Sequence, residues 1–429
     1  MGNNLLSAGS TAIGIVLAVL ILLAMITIHE FGHYVAGKIL KFKINEFSVG
    51  FGPAIFKRRS KKTGELFAVR LIPLGGYCAF EGEDGLDEEK ENGPTMSEGE
   101  PFEETSEAPM SESKQFEGAS DTSMPEATEK PVVLSDGAFT KKKPWQRIIV
   151  LVAGAFMNYV LALLLIFAMF GGYGQSLIKV RGVDIYDSYE REEGQEVDGF
   201  PAEYSFREGD ILLQAAGKNL YLTTDVAQAL NGKKAGDIVT FRVARLTEDG
   251  SRSEVTQEIM LRSDVVVKNS TQVSGVWKAI GIGVETLEDG SYYMISSASY
   301  RFGFWETIGR SFAYSFKIAG SIFRVLGELL TGKLGLDAFG GPITTITMTS
   351  EIASTSFRNF LEISAYIGVN LAVFNLLPIP ALDGSKVVFT AIEWVRGKPI
   401  SRRVEAVIHT VGFVLLLGFA ILVDILQFI

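Results

Sequence analysis

The sequence is short of the residues that usually carry reactive chemistry. Its 429 residues include one cysteine, Cys78, and three histidines, His29, His33 and His409. A lone thiol excludes an intrachain disulfide framework and leaves the redox compartment unread. The N-terminus lacks a basic leader, and no small-x-small site ends its apolar run before His29. A cleaved secretory signal is therefore not expected, and the start is not Arg- and Ser-rich like a transit peptide. We expect a retained membrane span. Charge is also missing from a long interior stretch, Ile148 to Ser176.

The net charge of −10 is unevenly spread. Residues 81–130 hold 17 Asp and Glu against 3 Lys and Arg, so the rest of the chain carries +4, 37 basic against 33 acidic. The acidity belongs to one segment, and no nucleic-acid partner is expected from it.

What is abundant is apolar. Hydrophobic residues make up 47% of the chain. Crossing about 30 Å of hydrocarbon takes roughly 20 apolar helical residues. Four stretches are long enough, at approximately 11–36, 148–170, 358–380 and 405–425. Basic residues such as Lys38, Lys57, Arg58, Arg59, Lys141, Arg147, Lys386 and Arg396 cluster after the first span, before the second, and between the third and fourth. The positive-inside rule makes those loops cytoplasmic and places 171–357 and both termini outside.

Between the spans, residues 44–82 read as a β-hairpin region: "PAIFKRR", a "SKKTG" turn and "ELFAVRL". Residues 83–140, rich in Glu, Ser, Pro and Gly, have too few large apolar side chains to offset their chain entropy. A disordered cytoplasmic insert is expected there. Residues 141–175 carry the second span, and 176–266 read as a soluble external unit with a hairpin around "TEDGS". Residues 267–357 read as a linker with an amphipathic helix at 301–335, suited to the outer membrane face. Residues 358–429 hold the last two spans.

The chemistry lies in the first span. His29 and His33 are i, i+4, so both imidazoles leave one face of a helix. That face can supply two nitrogens to Zn²⁺, and Glu30 is placed to act as a base on water. A catalytic zinc usually has three protein ligands. The candidates for the third are Asp383 and His409. Asp383 ends a span that holds Asn370 and Asn375 and is broken by "PIPALDG". Freed carbonyls are tolerated at membrane depth only where protein or a watery cavity receives them, so a buried hydrolytic site is expected beside Asp383. His409 reads as an interfacial or packing residue.

His29-Glu30-Phe31-Gly32-His33, "GFGP" at 50–53, "RLIPLGGY" at 70–77, "AGAFMN" at 153–158 and "NLAVFNLLPIPALDG" at 370–384 resemble the bacterial site-2 proteases. These are zinc intramembrane metalloproteases of regulated intramembrane proteolysis. The resemblance implies a polytopic α-helical membrane protein with about four transmembrane helices, a membrane-associated β-hairpin and an external PDZ-like α+β domain. It implies that His29, His33 and Asp383 bind zinc, that Glu30 activates water, and that Asn370 and Asn375 contact substrate or support the site. The hairpin would present the unwound substrate. Anti-sigma factors and remnant signal peptides are the implied substrates, single-span proteins of a bacterial plasma membrane, with the active site towards the cytoplasm. Two departures stand out. The family's A-G-P is Ala153-Gly154-Ala155 here, and its D-G-G is Asp383-Gly384-Ser385. A catalytically dead scaffold and a metal transporter are the other classes to weigh. The intact set His29, Glu30, His33 and Asp383 argues against the first, and the apolar second span against the other.

Overall fold

The computed structural model describes residues 2–83, 134–183, 202–267, 274–287, 290–335 and 340–428. Helix α1 (Gly2–Ile39) runs unbroken through the first apolar stretch. Helix α2 (Pro144–Tyr173) starts with Pro at a first-turn position, where no amide donor is needed. Its buried residues Val150, Gly154, Asn158, Ala162 and Ile166 fall four apart. This stripe packs against α1 on one side and against α7 (Phe357–Leu376) on the other. Helix α9 (Arg402–Phe428) closes the chain.

Among the described residues, three helical stretches are long and apolar enough to cross a membrane: Ile13–Ile39, Pro144–Tyr173 and Arg403–Gln427. The expected third span corresponds to α7, whose 20 residues include Arg358, Glu362, Asn370 and Asn375 and whose hydropathy is lower.

Strands β1 (Ile44–Arg59) and β2 (Leu66–Phe80) make more than a hairpin. Residues 46–49 pair on one side with 76–79 and on the other with 66–69, while 54–59 pair with 66–70. Both long strands therefore fold back to form four rungs, with 54–59 and 76–80 at the edges. Gly50 permits the bend in β1. Its φ is +87°, and a Cβ there would lie 2.8 Å from the Ile72 carbonyl oxygen. Arg70 pins three neighbouring rungs together. Its Nε donates to Ser48 Oγ at 2.8 Å, and one terminal nitrogen donates to Glu46 Oε1 at 2.6 Å and to Tyr77 Oη at 2.8 Å.

Most of the expected acidic insert, residues 84–133, lies outside the described residues. Its C-terminal end does not match the expectation: Ala138 and Phe139 are buried, and Phe139 packs on Phe42 and Phe80. The two flanks of the insert are bonded to each other. The Ser135 amide donates to Glu81 Oε2 at 3.2 Å, and the Phe139 amide donates to the Glu81 carbonyl at 2.8 Å.

The unit expected to be external is built on an antiparallel sheet of order β10-β3-β4-β6-β7. These strands are Ile295–Tyr300, Gln175–Val180, Ile211–Ala215, Ile238–Leu246 and Arg252–Met260; the short β5 (Lys218–Asn219) pairs with β4. Helix α3 (Thr224–Leu230) buries Val226, Ala227 and Leu230 in its core. Along β6, Val239, Phe241 and Val243 alternate inward, as a half-buried strand requires. Expected to end at residue 266, the unit continues further. Helix α4 (Ser274–Ala279) adds Val276 and Trp277 to the same core. The short pair β8 (Val284–Leu287) and β9 (Gly290–Tyr293) follows, and β10 then pairs with β3.

Helix α5 (Phe304–Leu330) is amphipathic, as expected, but its inward face is polar. Buried Arg310 donates to Gln175 Oε1 at 2.7 Å and to the Leu220 carbonyl at 2.8 Å, and Lys317 pairs with Asp225 at 2.8 Å. Ser315 Oγ meets Tyr159 Oη of α2 at 2.9 Å. The outward face carries Trp305, Phe312, Phe316 and Phe323, all exposed. Helix α6 (Pro342–Thr355) then lies along α1. Asp424 of α9 accepts from the first amides of α6, Ile343 at 3.0 Å and Thr344 at 3.2 Å, and so caps that helix from another element.

One interaction in this sheet unit is open to a clean test. Asp210 is fully buried, and Arg245 donates to both its oxygens, at 2.9 and 2.7 Å. Arg245→Leu strands that carboxylate, and removing one partner of a buried pair costs about 3–5 kcal/mol. The expected outcome is faster hydrogen exchange across β4 and β6 of the full chain, with α1 and α2 unchanged.

Candidate metal centre

The site is built where α1 and α2 touch. Helical spacing puts His29 and His33 on the α1 face that meets α2, and both rings are buried. The contact depends on two glycines. A Cβ on Gly32 would lie 2.3 Å from the Ala153 carbonyl oxygen. One on Gly154 would lie 2.4 Å from His33 Nε2 and 2.8 Å from His29 Nε2. The imidazoles thus rest against bare backbone. Ala155, where the family pattern has proline, is fully buried, and α2 runs through it without a break.

Asp383 arrives from the other side. Pro378 and Pro380 cannot donate to a helical ladder, and α7 ends at Leu376. The chain turns through Ala381, whose φ of +74° is unusual for a residue with a Cβ. Helix α8 (Asp383–Arg396) then begins at Asp383 itself. Gly384 lets this start press on the end of α7, since a Cβ there would lie 2.2 Å from the Leu377 carbonyl oxygen. Ser385, where the family pattern has a second glycine, fits by turning its hydroxyl back to the Leu382 carbonyl at 2.7 Å.

The three groups converge. Asp383 Oδ2 lies 2.9 Å from His29 Nε2 and 3.3 Å from His33 Nε2, and the two nitrogens are 3.1 Å apart. Three ligands about 2.0–2.1 Å from a tetrahedral centre stand about 3.3 Å apart, so the set fits a zinc-sized ion. The tautomer of His33 fits too. Its Nδ1 faces the Val150 carbonyl at 2.8 Å, so Nδ1 carries the proton and Nε2 is bare. Among the described residues this is the one His/Cys/Asp/Glu cluster with such geometry.

Glu30 shares a cavity of about 890 Å³ with His33 and Asp383. Tyr77, Cys78, Ala79 and Phe80 of the edge rung line the same cavity. Among the described residues, rung 76–79 pairs only with 46–49, leaving its other edge without a strand partner. Lys386 of α8 meets Glu83, just beyond that rung, at 2.8 Å.

The remaining candidates divide. Asn375 Nδ2 lies 3.3 Å from His29 Nδ1. Asn370 is not brought into contact with the cluster; its Oδ1 is buried and accepts no hydrogen bond. His409 is not with the cluster either. It stacks edge-on against Phe389, and its Nδ1 accepts from the Ala381 amide at 3.0 Å. It therefore braces the strained turn that aims Asp383. Sequence reasoning passed over Val150 and gave Gly154 and Asn158, quoted only within "AGAFMN", no role beside the histidines; all three lie on one α2 stripe against them. The four-residue spacing of "VLVAGAFMN" was a signal that could have found the last two.

A carboxylate closing onto a helix-borne histidine pair, inside a scaffold of membrane-length helices, defines a metallopeptidase-type centre. A family model described as peptidase family M50 matches residues 17–419, and the chain belongs to that family, the site-2 proteases. It is similar to a protein of Bacillus licheniformis named zinc metalloprotease RasP, at 29% identity over 93% of this chain and 94% of the relative. It is also similar to a protein of Bacillus subtilis named regulator of sigma-W protease RasP, at 26% identity over 92% of this chain and 93% of the relative.

Two outcomes follow from this geometry. Gly154→Ala is expected to weaken divalent-metal binding about 100-fold by displacing both rings, measured by competition with a chelator. Asp383→Ala and His409→Ala are expected to separate: the first loses metal and peptidase activity together. The second keeps the metal but cleaves more slowly, because only the brace on the turn is gone. Metal content and rate measured side by side distinguish them.

Proposed function

We propose that this chain is an intramembrane zinc metalloendopeptidase that cuts transmembrane segments of single-span membrane proteins. The observation that carries the reading is the convergence of His29, His33 and Asp383 beside Glu30, in a cavity walled by an open strand edge. His29, His33 and Asp383 would hold the ion. Zinc bound there supplies Lewis-acid chemistry that makes water acidic enough to yield hydroxide near neutral pH.

Glu30 takes a proton from the attacking water on its carboxylate and passes it to the nitrogen of the leaving amine. Peptide carbonyls inside a helix are already hydrogen-bonded, so the substrate must be extended before it is attacked. The edge rung 76–80 binds the substrate as an added strand, which replaces the helical hydrogen bonds with sheet bonds. Asn375, at the last turn of α7, offers an amide to the extended substrate.

In this reading α7 is a fourth span, packed against α2 through Leu361, Ala365 and Val369, while its Arg358 and Glu362 pair with each other. The basic loops place β1, β2 and the Lys386 end of the site on the cytoplasmic side, with the sheet unit from β3 to β10 outside a bacterial plasma membrane. That unit is a PDZ-like domain, with α3 closing one face of its sheet. It screens substrates with bulky ectodomains, because a site built around one extended strand cannot admit a folded domain. The substrates are anti-sigma factors and remnant signal peptides, a reading supported by the sigma-W regulator named among the relatives.

The deciding experiment uses Glu30→Gln, which fills the same space but cannot accept the proton. Cleavage of a model single-span substrate in detergent is expected to fall at least ~100-fold, within the range that general bases contribute. Zinc content is expected to stay at the wild-type level. Cleavage near the wild-type rate would overturn the assignment of Glu30.

A further inference from the structure

We propose that Asn158 is a positioning residue for His29, accepting a hydrogen bond from the ring Nδ1–H and so fixing the ring for metal binding through Nε2. The proposal rests on the reading of His29 as a ligand. His29 Nε2 is the atom that faces His33 Nε2 and Asp383 Oδ2. A ligating nitrogen must be bare, so the single proton of the neutral ring sits on Nδ1. That N–H is buried, and a buried donor without an acceptor is costly.

Two amides reach Nδ1. Asn375 Nδ2 stands 3.3 Å away and Asn158 Nδ2 stands 3.5 Å away. Both present nitrogen, and neither nitrogen can accept from an N–H. At least one amide must turn by half a rotation, which exchanges oxygen and nitrogen within the same outline. The structure favours Asn158 for three reasons. It is 1% exposed, and its Oδ1 is buried and accepts no hydrogen bond, so that oxygen is free to take the Nδ1 proton. Asn375 is only half-buried and does not share this defect. Finally, α2 already supplies the acceptor for His33, through the Val150 carbonyl at 2.8 Å. Positions 150, 154 and 158 then act together on one stripe: a carbonyl for one ring, no side chain where the rings rest, and an amide oxygen for the other ring. Asn375 is left with its amide available to substrate.

Such outer partners fix ring orientation and raise ligand basicity, and losing one typically weakens metal binding 10–100-fold. The test is zinc affinity of the detergent-solubilised full chain, by competition with a chelator, for wild type, Asn158→Ala, Asn158→Asp and His29→Ala. Asn158→Ala is expected to bind zinc about 10–100-fold more weakly. Asn158→Asp, a side chain that accepts from Nδ1–H as well as the amide does, is expected to bind at least as tightly as wild type. Affinity for Asn158→Ala within about threefold of wild type would overturn the proposal, as would Asn158→Asp binding as weakly as Ala. If Asn158→Asp does not fold, cobalt-loaded Asn158→Ala decides: its visible ligand-field bands are expected to shift, and bands identical to wild type overturn the proposal. His29→Ala is expected to lose zinc; retention there would instead overturn the ligand reading itself, which keeps the two failures distinct.

Discussion

The close approach of α1 to α2 is the contact on which the site depends. In lipid there is little hydrophobic gain from bringing helices together, so packing and small residues decide how near they come. Gly32 and Gly154 remove the side chains at this crossing, each where a Cβ would lie closer than 2.5 Å to the facing helix. The same proximity has two effects. It buries the imidazoles, and it brings α2 near enough to hold His33 by the Val150 carbonyl. An ionisable cluster in a membrane helix is tolerable only with such partners at hand.

Asp383 is held differently. It sits on a new helix that begins at a break, where prolines have ended α7 and Ala381 carries a left-handed backbone. Strain of this kind persists only where the surroundings impose it. Here they do so through His409, which holds the Ala381 amide, and through Gly384, which lets α8 seat against α7. Helix α9 is otherwise largely exposed, and it is joined to the rest at two polar points. One is His409 near its start, and the other is Asp424 at the head of α6. The Asp383 carboxylate is thus positioned by a chain of local contacts, and the histidine pair by one helix crossing.

The sequence revealed the site more fully than the scaffold around it. The histidine pair was legible because i, i+4 spacing fixes a common helix face. Asp383 was legible because prolines within an apolar span mark a break that needs a reason. The α2 contributions were harder to see. Val150 acts through a carbonyl, which every residue has, and its partner is 117 positions away. The double pairing of residues 46–49 was hidden because strand register depends on bends that Gly50 permits but does not announce. The sheet unit was expected to end at 266 for a related reason. Its closing strand, β10, pairs with β3 more than a hundred residues upstream, beyond the reach of local periodicity. The expected third span forms helix α7, but its polar residues leave it outside the three described stretches that are long and apolar enough to cross a membrane.

The bonded flanks at Glu81 and Ser135 have an evolutionary consequence. The chain leaves the β1–β2 sheet after Glu83 and returns at Leu134, and the two ends are already held together by the fold. For a loop closed between fixed ends, each doubling of its length costs in general only about 0.6 kcal/mol of closure entropy. Residues can then be gained, lost or exchanged between those two points with almost no penalty transmitted to the edge rung or to Asp383. This position can absorb changes of sequence and length beside the 76–80 edge rung without reworking the helices that bring His29, His33 and Asp383 together.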